Sequence, residues 1–281
     1  MATAADLGLR VADAIVLRDS DKVTARLLPC DVVARIAHVG REVAAFELEL
    51  AQRLMDIGSP VAALDPRVEP RMYTRDGFTM TLWTYYEDSS REITPAAYAE
   101  ALERLHAGMR HVTMPTPRFT DRVAGAQEIV ASRELSPELP DAGRELLADA
   151  LSTMTQTIEA RGAPEQLLHG EPHLGNVLRA PDGLLFIDLE TCCRGPVEFD
   201  IAHAVRLAGS SGGGGLDIDD AAGRYPGADR ELVQHCVVLM LALITTWRWQ
   251  VGDQLPDGER LGRVWLTELR SRFEAIADRC Q

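Results

Sequence analysis

Glu171, Asn176, Asp188 and Glu190 crowd oxygen-bearing side chains into one short stretch, Leu167 to Glu190, and the residues between them predict how they come together. Pro181-Asp182-Gly183 is a strong turn signal. It separates two apolar runs, Val177-Leu178 and Leu184-Leu185-Phe186-Ile187, that read as the arms of a short hairpin. Asn176 and Asp188 both lie six residues from Asp182, so folding the arms back sets an amide oxygen beside a carboxylate at the open end. Such hard donors suit Mg²⁺, which takes one or two carboxylates and completes its shell with water and phosphate oxygens. Glu171 stands five residues before Asn176, where Gly170 and Pro172 work against a helix. A carboxylate that close to a metal-bound phosphate is placed to accept a proton from an attacking hydroxyl.

Two zinc chemistries share fragments of this pattern and fit it poorly. His-x-Glu opens the deaminase signature, which also needs Pro-Cys-x-x-Cys downstream, whereas the nearest cysteines here are adjacent, Cys192-Cys193. His169 and His173 are four apart like a zincin pair, but that pair must share a helix face, which Gly170 and Pro172 oppose. Each histidine reads as a structural hydrogen-bonding residue.

His169-Gly170-Glu171-Pro172-His173-Leu174-Gly175-Asn176, followed by Ile187-Asp188-Leu189-Glu190, resembles the catalytic loop and metal-binding segment of the aminoglycoside phosphotransferase and choline kinase-like family. These are relatives of the protein kinases, whose catalytic loop carries an Asp and, five residues on, an Asn, with a second Asp on Mg²⁺. The resemblance implies an α+β, two-lobed kinase-like fold, with a small antiparallel-sheet nucleotide lobe over residues 1–86 and a mostly helical catalytic and substrate lobe over 87–281. It also implies ATP or GTP and Mg²⁺ as cofactors, Glu171 as the catalytic carboxylate, Asn176 and Asp188 on the metal, and Glu190 within reach of a second ion. One departure is plain: the family's usual catalytic residue is Asp, and this chain has Glu.

The chain of 281 residues is long enough for two lobes, and its composition is ordinary for a soluble globular protein. A formal charge of −14 disfavours nucleic acid and anionic membrane and favours a small cationic ligand. The cysteines, Cys30, Cys192, Cys193, Cys236 and Cys280, are odd in number and show neither a disulfide framework nor metal spacing, which predicts reduced thiols in a cytoplasm. Asp6 and Asp13 interrupt the N-terminal region, so no signal peptide is expected. The apolar run Val237 to Ile244 falls far short of the roughly 18 to 20 residues a membrane span needs and reads as a buried helix.

The elements that must position these residues follow in order. Val11 to Leu17, Val23 to Leu28 and Val32 to Ile36 read as three antiparallel strands. The turn between the first two, Arg18 to Lys22, lies in the family over the nucleotide phosphates, yet here it has no glycine, leaving Ser20 and backbone N–H groups as its phosphate ligands. Arg35, in the third strand, matches the position of the family's phosphate-binding Lys, a second departure, because Arg presents a wider planar fork. Its expected partner is Glu47, from a helix at about 41–57 with Val43, Phe46, Leu50, Leu54 and Ile57 on its apolar face. Phe78 to Trp83 is the clearest later strand, and Trp83 and Tyr85 border the expected adenine site. A helix begins at Thr94-Pro95, burying Tyr98, Leu102, Leu105 and Met109, and residues 115–140 read as a connection with a short helix.

A long helix at about 141–161 then leads to the catalytic loop, and Asp200 is expected to cap a helix or brace that loop. Ser210 to Gly215 reads as a mobile loop. Two helices, about 230–251 and 259–278, close the chain, and Asp253, Asp257, Glu259 and Glu268 are candidates for an acidic wall against a cationic acceptor. The resemblance and the acidity together imply an amine-bearing hydroxyl compound, an aminoglycoside or similar antibiotic, with a choline-like or amino-sugar metabolite as the alternative. The departures at Glu171, Arg35 and the phosphate turn leave open a nucleotide-binding protein without turnover.

Overall fold

The computed structural model describes residues 2–19, 22–40, 43–89, 92–208 and 215–280. In chain order the helices and strands are α1 (Ala2–Asp6), β1 (Val11–Asp19), β2 (Val23–Pro29), β3 (Val32–His38), α2 (Val43–Asp56), β4 (Tyr73–Arg75), β5 (Phe78–Thr84), α3 (Pro95–Met109), α4 (Phe119–Ala131), α5 (Asp141–Ala160), β6 (Gln166–Leu168), β7 (Val177–Ala180), β8 (Gly183–Phe186), β9 (Cys193–Gly195), α6 (Val197–Ala202), α7 (Ile218–Arg224), α8 (Arg230–Arg248) and α9 (Gly258–Ala277). They form two compact units. The first takes Met1–Ile93, Ala107–Val112 and Asn176–Thr191, and the second Thr94–His106, Thr113–Gly175 and Cys192–Gln281.

The first unit is built on an antiparallel five-stranded sheet in the order β1-β2-β3-β5-β4. Side chains alternate across a strand, so the register decides which residues share a face. Ala25 pairs with Ala34 and Ala34 with Leu82, while Ile36 pairs with Met80 and Met80 with Tyr73. These residues, with Leu27 and Val32, line one face, and all but Ala25 pack with Ala4 and Leu9 into an apolar core. The opposite face carries the intervening residues: Thr24 pairs with Arg35, Arg35 with Thr81, and Arg26 and Trp83 both with Val33. Apolar and cationic faces are thus consequences of one two-residue period. Leu50 and Leu54 of α2 are fully buried, each contributing about 1.5–3 kcal/mol relative to exposure. Ile57, expected on the same face, lies past the helix end and is exposed.

The hairpin belongs to this unit. Val177 pairs with Phe186 and Ala180 with Gly183, and Phe186 N–H donates to Pro60 O at 2.8 Å while Ala62 N–H donates to Phe186 O at 3.0 Å. Arg179 on β7 binds both carboxylate oxygens of Asp88, and Ser89 N–H donates to Arg179 O at 2.8 Å, so the segment after β5 is tied to the hairpin. Beyond β8 the strand does not continue through Asp188 and Glu190. Asp188 adopts a left-handed backbone, φ 69°, and Leu189–Thr191 form a 3₁₀ turn. That conformation costs an L-residue roughly 1–2 kcal/mol, and Asp is among the few types that tolerate it.

In the second unit α8 is the central helix, buried from Leu232 to Thr246 along most of its length and packed by α4, α5, α6, α7 and α9. Its buried Thr245 and Thr246 hydroxyls donate to Leu241 O and Ala242 O one turn back, which leaves no hydroxyl of this pair unsatisfied. Residues 115–140 hold a full helix, α4, rather than a short one. Its core residues Phe119, Val123, Ala126 and Val130 keep helical spacing, but Pro115, Pro117 and the intervening polar residues obscure that signal in the sequence. A further helix, α7, is capped by Asp217, whose carboxylate accepts from Asp219 N–H at 2.8 Å. Ser20 and Ser210 to Gly214 lie outside the described residues. Among the described residues no helix is long and apolar enough to cross a membrane, and Cys30, Cys193 and Cys236 are free thiols.

Candidate active site

In the first unit, charged groups from the sheet, α2 and the segment after β8 converge on Asp188. Arg35 projects from β3 and is anchored on both sides. Nη1 donates to Glu47 Oε1 and Nη2 donates to Asp188 Oδ1 at 2.8 Å, with Glu190 Oε1 3.7 Å away. Its guanidinium lies 5.6 Å from the Trp83 ring centroid, and Trp83 is held in turn by Nε1–H donating to Thr81 Oγ1 at 2.8 Å. Only 13% of the Arg35 side chain is exposed. Burial opposes its charge, yet Glu47, Asp188 and Glu190 together hold its pKa above the ordinary value. Glu47, almost wholly buried on α2, also accepts Leu189 N–H at 3.1 Å and so fixes the turn that follows Asp188.

Lys22, from the residue before β2, is the member that sequence reasoning missed. Its ammonium lies 2.7 Å from Asp188 Oδ1 and 2.7 Å from Glu190 Oε1, and its side chain is only 10% exposed. Lys22 stands two residues before Thr24, the strand partner of Arg35, so the pleat sends both cations to one face. The sequence carries the alternation Lys22-x-Thr24-x-Arg26, but the register joining it to Arg35 is a tertiary fact. Burial would raise the Asp188 pKa, and Arg35 with Lys22 reverses that and holds it at about 2. Glu47, Asp188 and Glu190 each offer an oxygen within 4.8 Å of the others, and a set of hard carboxylate donors fits a divalent cation such as Mg²⁺. Asn176 sits at the foot of the hairpin, where its backbone carbonyl accepts Ile187 N–H at 3.0 Å, so the chain at Asn176 and the segment leading to Asp188 meet at the open end. Tyr85 lies on the cationic face of the sheet, its ring 3.8 Å from the Arg26 guanidinium carbon.

In the second unit the loop that carries Glu171 is pinned through its backbone. The two oxygens of Asp200 accept His169 N–H and Gly170 N–H, each at 2.8 Å, and Oδ2 also meets His106 Nε2 at 2.8 Å. His106 Nδ1 pairs with the Tyr225 hydroxyl, and the Tyr98 hydroxyl donates to Pro172 O at 2.7 Å. Asp200 therefore braces the loop from inside α6, whose N-cap is Pro196. Burial works against its charge, and His106, by hydrogen bond and by charge, holds its pKa below the ordinary carboxylate range. Gly170 has φ 87°, which lets the backbone turn directly after these two hydrogen-bonded amides.

Glu171 is ion-paired with Arg122 of α4, a partner the sequence did not suggest because it lies in the obscured helix. Arg122 Nη1 also donates to Gly170 O at 2.8 Å, and its guanidinium lies 5.1 Å from the Trp247 ring centroid, so the cation is braced on three sides. Burial would raise the Glu171 pKa, but Arg122, then His203 and His173, lower it, so Glu171 is an ionised acceptor at neutral pH. The four acidic candidates near the C-terminus each meet an arginine: Asp253 pairs with Arg248 at 3.0 Å, Asp257 with Arg260 at 3.5 Å, Glu259 with Arg263 at 2.5 Å and Glu268 with Arg272 at 2.6 Å. Glu268 additionally accepts Ala208 N–H at 2.8 Å.

His203 supplies a pH dependence. It is buried close to Arg122, Glu171 and Asp200; burial lowers its pKa from 6.5 to about 4, Glu171 opposing and Arg122 assisting the fall. Between those values the unfolded chain binds a proton that the native protein refuses. Stability therefore falls as pH drops from about 6.5 to about 4, by on the order of 3 kcal/mol from this group. Urea unfolding midpoints at pH 7.5, 5.5 and 4.5 should show that decline, and His203→Gln should flatten it. An undiminished decline in the variant would assign acid sensitivity to other groups.

Together the two units define a protein kinase-like fold of the small-molecule phosphotransferase class. The profile of the family described as "Phosphotransferase enzyme family" matches residues 19–233, and the chain belongs to that family. No curated protein sequence matches the chain. Among solved structures, the chain is similar to the amicoumacin kinase hAmiN in complex with AMP-PNP, Ca²⁺ and Ami, with TM-score 0.68 at 12% identity over 96% of this chain and 92% of that one. It is similar to the choline kinase LicA from Streptococcus pneumoniae, with TM-score 0.67 at 14% identity, covering 98% and 97%. The GDP complex of aminoglycoside 2'-phosphotransferase-IIIa gives TM-score 0.67 at 13% identity, covering 95% and 96%. At such identities the likeness is one of fold.

Proposed function

We propose that this phosphotransferase moves the γ-phosphoryl group of ATP or GTP to a hydroxyl of a small amine-bearing molecule, with an aminoglycoside or a similar antibiotic as the first acceptor class. The observation that carries the reading is the convergence of Arg35, Glu47, Asp188 and Glu190 beside Asn176 at the open end of the hairpin. Asn176, Asp188 and Glu190 would hold Mg²⁺, which supplies charge neutralisation on the phosphate oxygens when bound. Arg35 binds the phosphates, and Glu47 orients it through the same oxygen that fixes the turn after Asp188. Trp83 lies against Arg35, and it and Tyr85 border the nucleotide. Glu171, held ionised by Arg122, orients the acceptor hydroxyl and takes its proton. Net charge and family support a cationic acceptor, although the arginine partners of Asp253, Asp257, Glu259 and Glu268 mean that an amine must displace or share those carboxylates.

The test is a coupled assay of ATP and GTP, with Mg²⁺, against aminoglycosides, peptide antibiotics, choline and amino sugars. Transfer to an antibiotic is the expected result. Transfer only to choline or an amino sugar would move the acceptor to metabolism, and nucleotide binding without transfer to any member of the panel would defeat the catalytic reading.

A further inference from the structure

The metal-binding role proposed for Asp188 and Glu190 meets a difficulty that the structure itself raises. The place between their carboxylates already holds a cation, the Lys22 ammonium, 2.7 Å from an oxygen of each. Among the described residues three carboxylates, Glu47, Asp188 and Glu190, face two cations, Lys22 and Arg35, leaving one negative charge in excess. A divalent ion added to that cluster leaves a net positive charge in a largely buried place, which is unfavourable in a low-dielectric surrounding. A nucleoside triphosphate reverses the sign, because its phosphates can receive the displaced ammonium while they share the metal.

The two cations differ in their freedom to respond. Arg35 is locked by Glu47, by Asp188 and by the Trp83 ring, and a planar fork loses all of these if it swings. Among the described residues Lys22 makes point contacts, to Asp188 and Glu190, from a flexible four-carbon stem rooted at the start of β2. We infer that Lys22 is a resident counter-cation that yields its place to the divalent ion and turns to the nucleotide phosphates, so that metal and nucleotide bind as coupled ligands. This rests on the phosphotransferase reading above. Its consequence is that the nucleotide-free protein resists free metal, and that each ligand raises the affinity of the other by the same factor.

Calorimetric titration with Mn²⁺, without and with a non-hydrolysable ATP analogue, tests this on the full chain, with circular dichroism confirming the fold of each variant. Lys22→Gln keeps a polar side chain, one bond shorter, and removes its charge. The expected result is nucleotide-free Mn²⁺ binding roughly 10- to 100-fold tighter than in the unmodified protein, with analogue binding weakened and the coupling factor reduced towards one. Lys22→Arg should restore weak nucleotide-free binding, which a merely structural ion pair would not require. Nucleotide-free Mn²⁺ affinity unchanged within about twofold, or weakened, in Lys22→Gln would overturn the inference while Mn²⁺ binding with analogue, lost in Asp188→Asn, upheld the metal site. If the unmodified protein and Lys22→Gln both took up no Mn²⁺ under either condition, the metal assignment and the inference would fail together.

Discussion

Asp188→Asn should lower kcat for phosphoryl transfer by roughly a thousandfold, a scale typical of losing one electrostatic element from a transition-state site. Asp188 is the common partner of Lys22 and Arg35 and lies at the end of the hairpin that presents Asn176. The substitution removes one negative charge and one hard oxygen ligand while keeping nearly the same shape. Asn tolerates the left-handed backbone at this position, so the turn after β8 should survive. Arg35 would keep Glu47, and Lys22 would keep Glu190. The unfolding midpoint should therefore change far less than activity. Steady-state kinetics and thermal unfolding on the same preparation check this; activity within about tenfold of the unmodified protein would remove Asp188 from the metal site.

Glu171→Ala should cost roughly 10²- to 10⁴-fold in kcat, the range for losing a positioned general base, and leave nucleotide affinity intact. Nucleotide binding is assigned to groups in the first unit, whereas Glu171 is held in the second by Arg122 and by the loop that Asp200 braces. Glu171→Gln should approach the same loss, since the amide keeps the length but cannot serve as the base. Glu171→Asp is the more informative change. It withdraws the carboxylate by about an ångström, and a misplacement of that size can cost roughly 100-fold. Because Arg122 is fixed by Gly170 O and braced by Trp247, it cannot simply follow. Asp should therefore be slower than Glu here, the reverse of what the family's usual Asp would suggest. Single-turnover rates for the series, with nucleotide affinity measured separately, decide it; an Asp variant faster than Glu would indicate that the Arg122 contact restrains catalysis.

The contrast between Glu171 and Lys22 marks how far the sequence could be read. Glu171, Asn176, Asp188 and Glu190 lie along one continuous stretch, and a turn signal between two apolar runs is enough to fold it into a hairpin. Arg35 and Glu47 were legible in another way: a cation in a strand and a carboxylate on the edge of a helical apolar face are local patterns, and the family resemblance joined them. Lys22 and Arg122 had no such signal. Lys22 reaches Asp188 because the β2–β3 register puts it on the same face as Arg35. Arg122 reaches Glu171 from a helix whose apolar spacing was obscured by flanking prolines and polar residues.

The sequence by itself determined the hairpin and the main helices and strands, and singled out the carboxylates proposed here for phosphoryl transfer, because periodicity and turn chemistry act over a few neighbouring residues. Tertiary structure decided which cation holds each site carboxylate, Lys22 and Arg35 on Asp188 and Arg122 on Glu171, whereas the arginines on Asp257, Glu259 and Glu268 stand only three or four residues further along the chain. Several of these pairs join residues far apart in the chain, so their charge balance depends on strand register and helix packing, neither of which leaves a mark in the local order of residues.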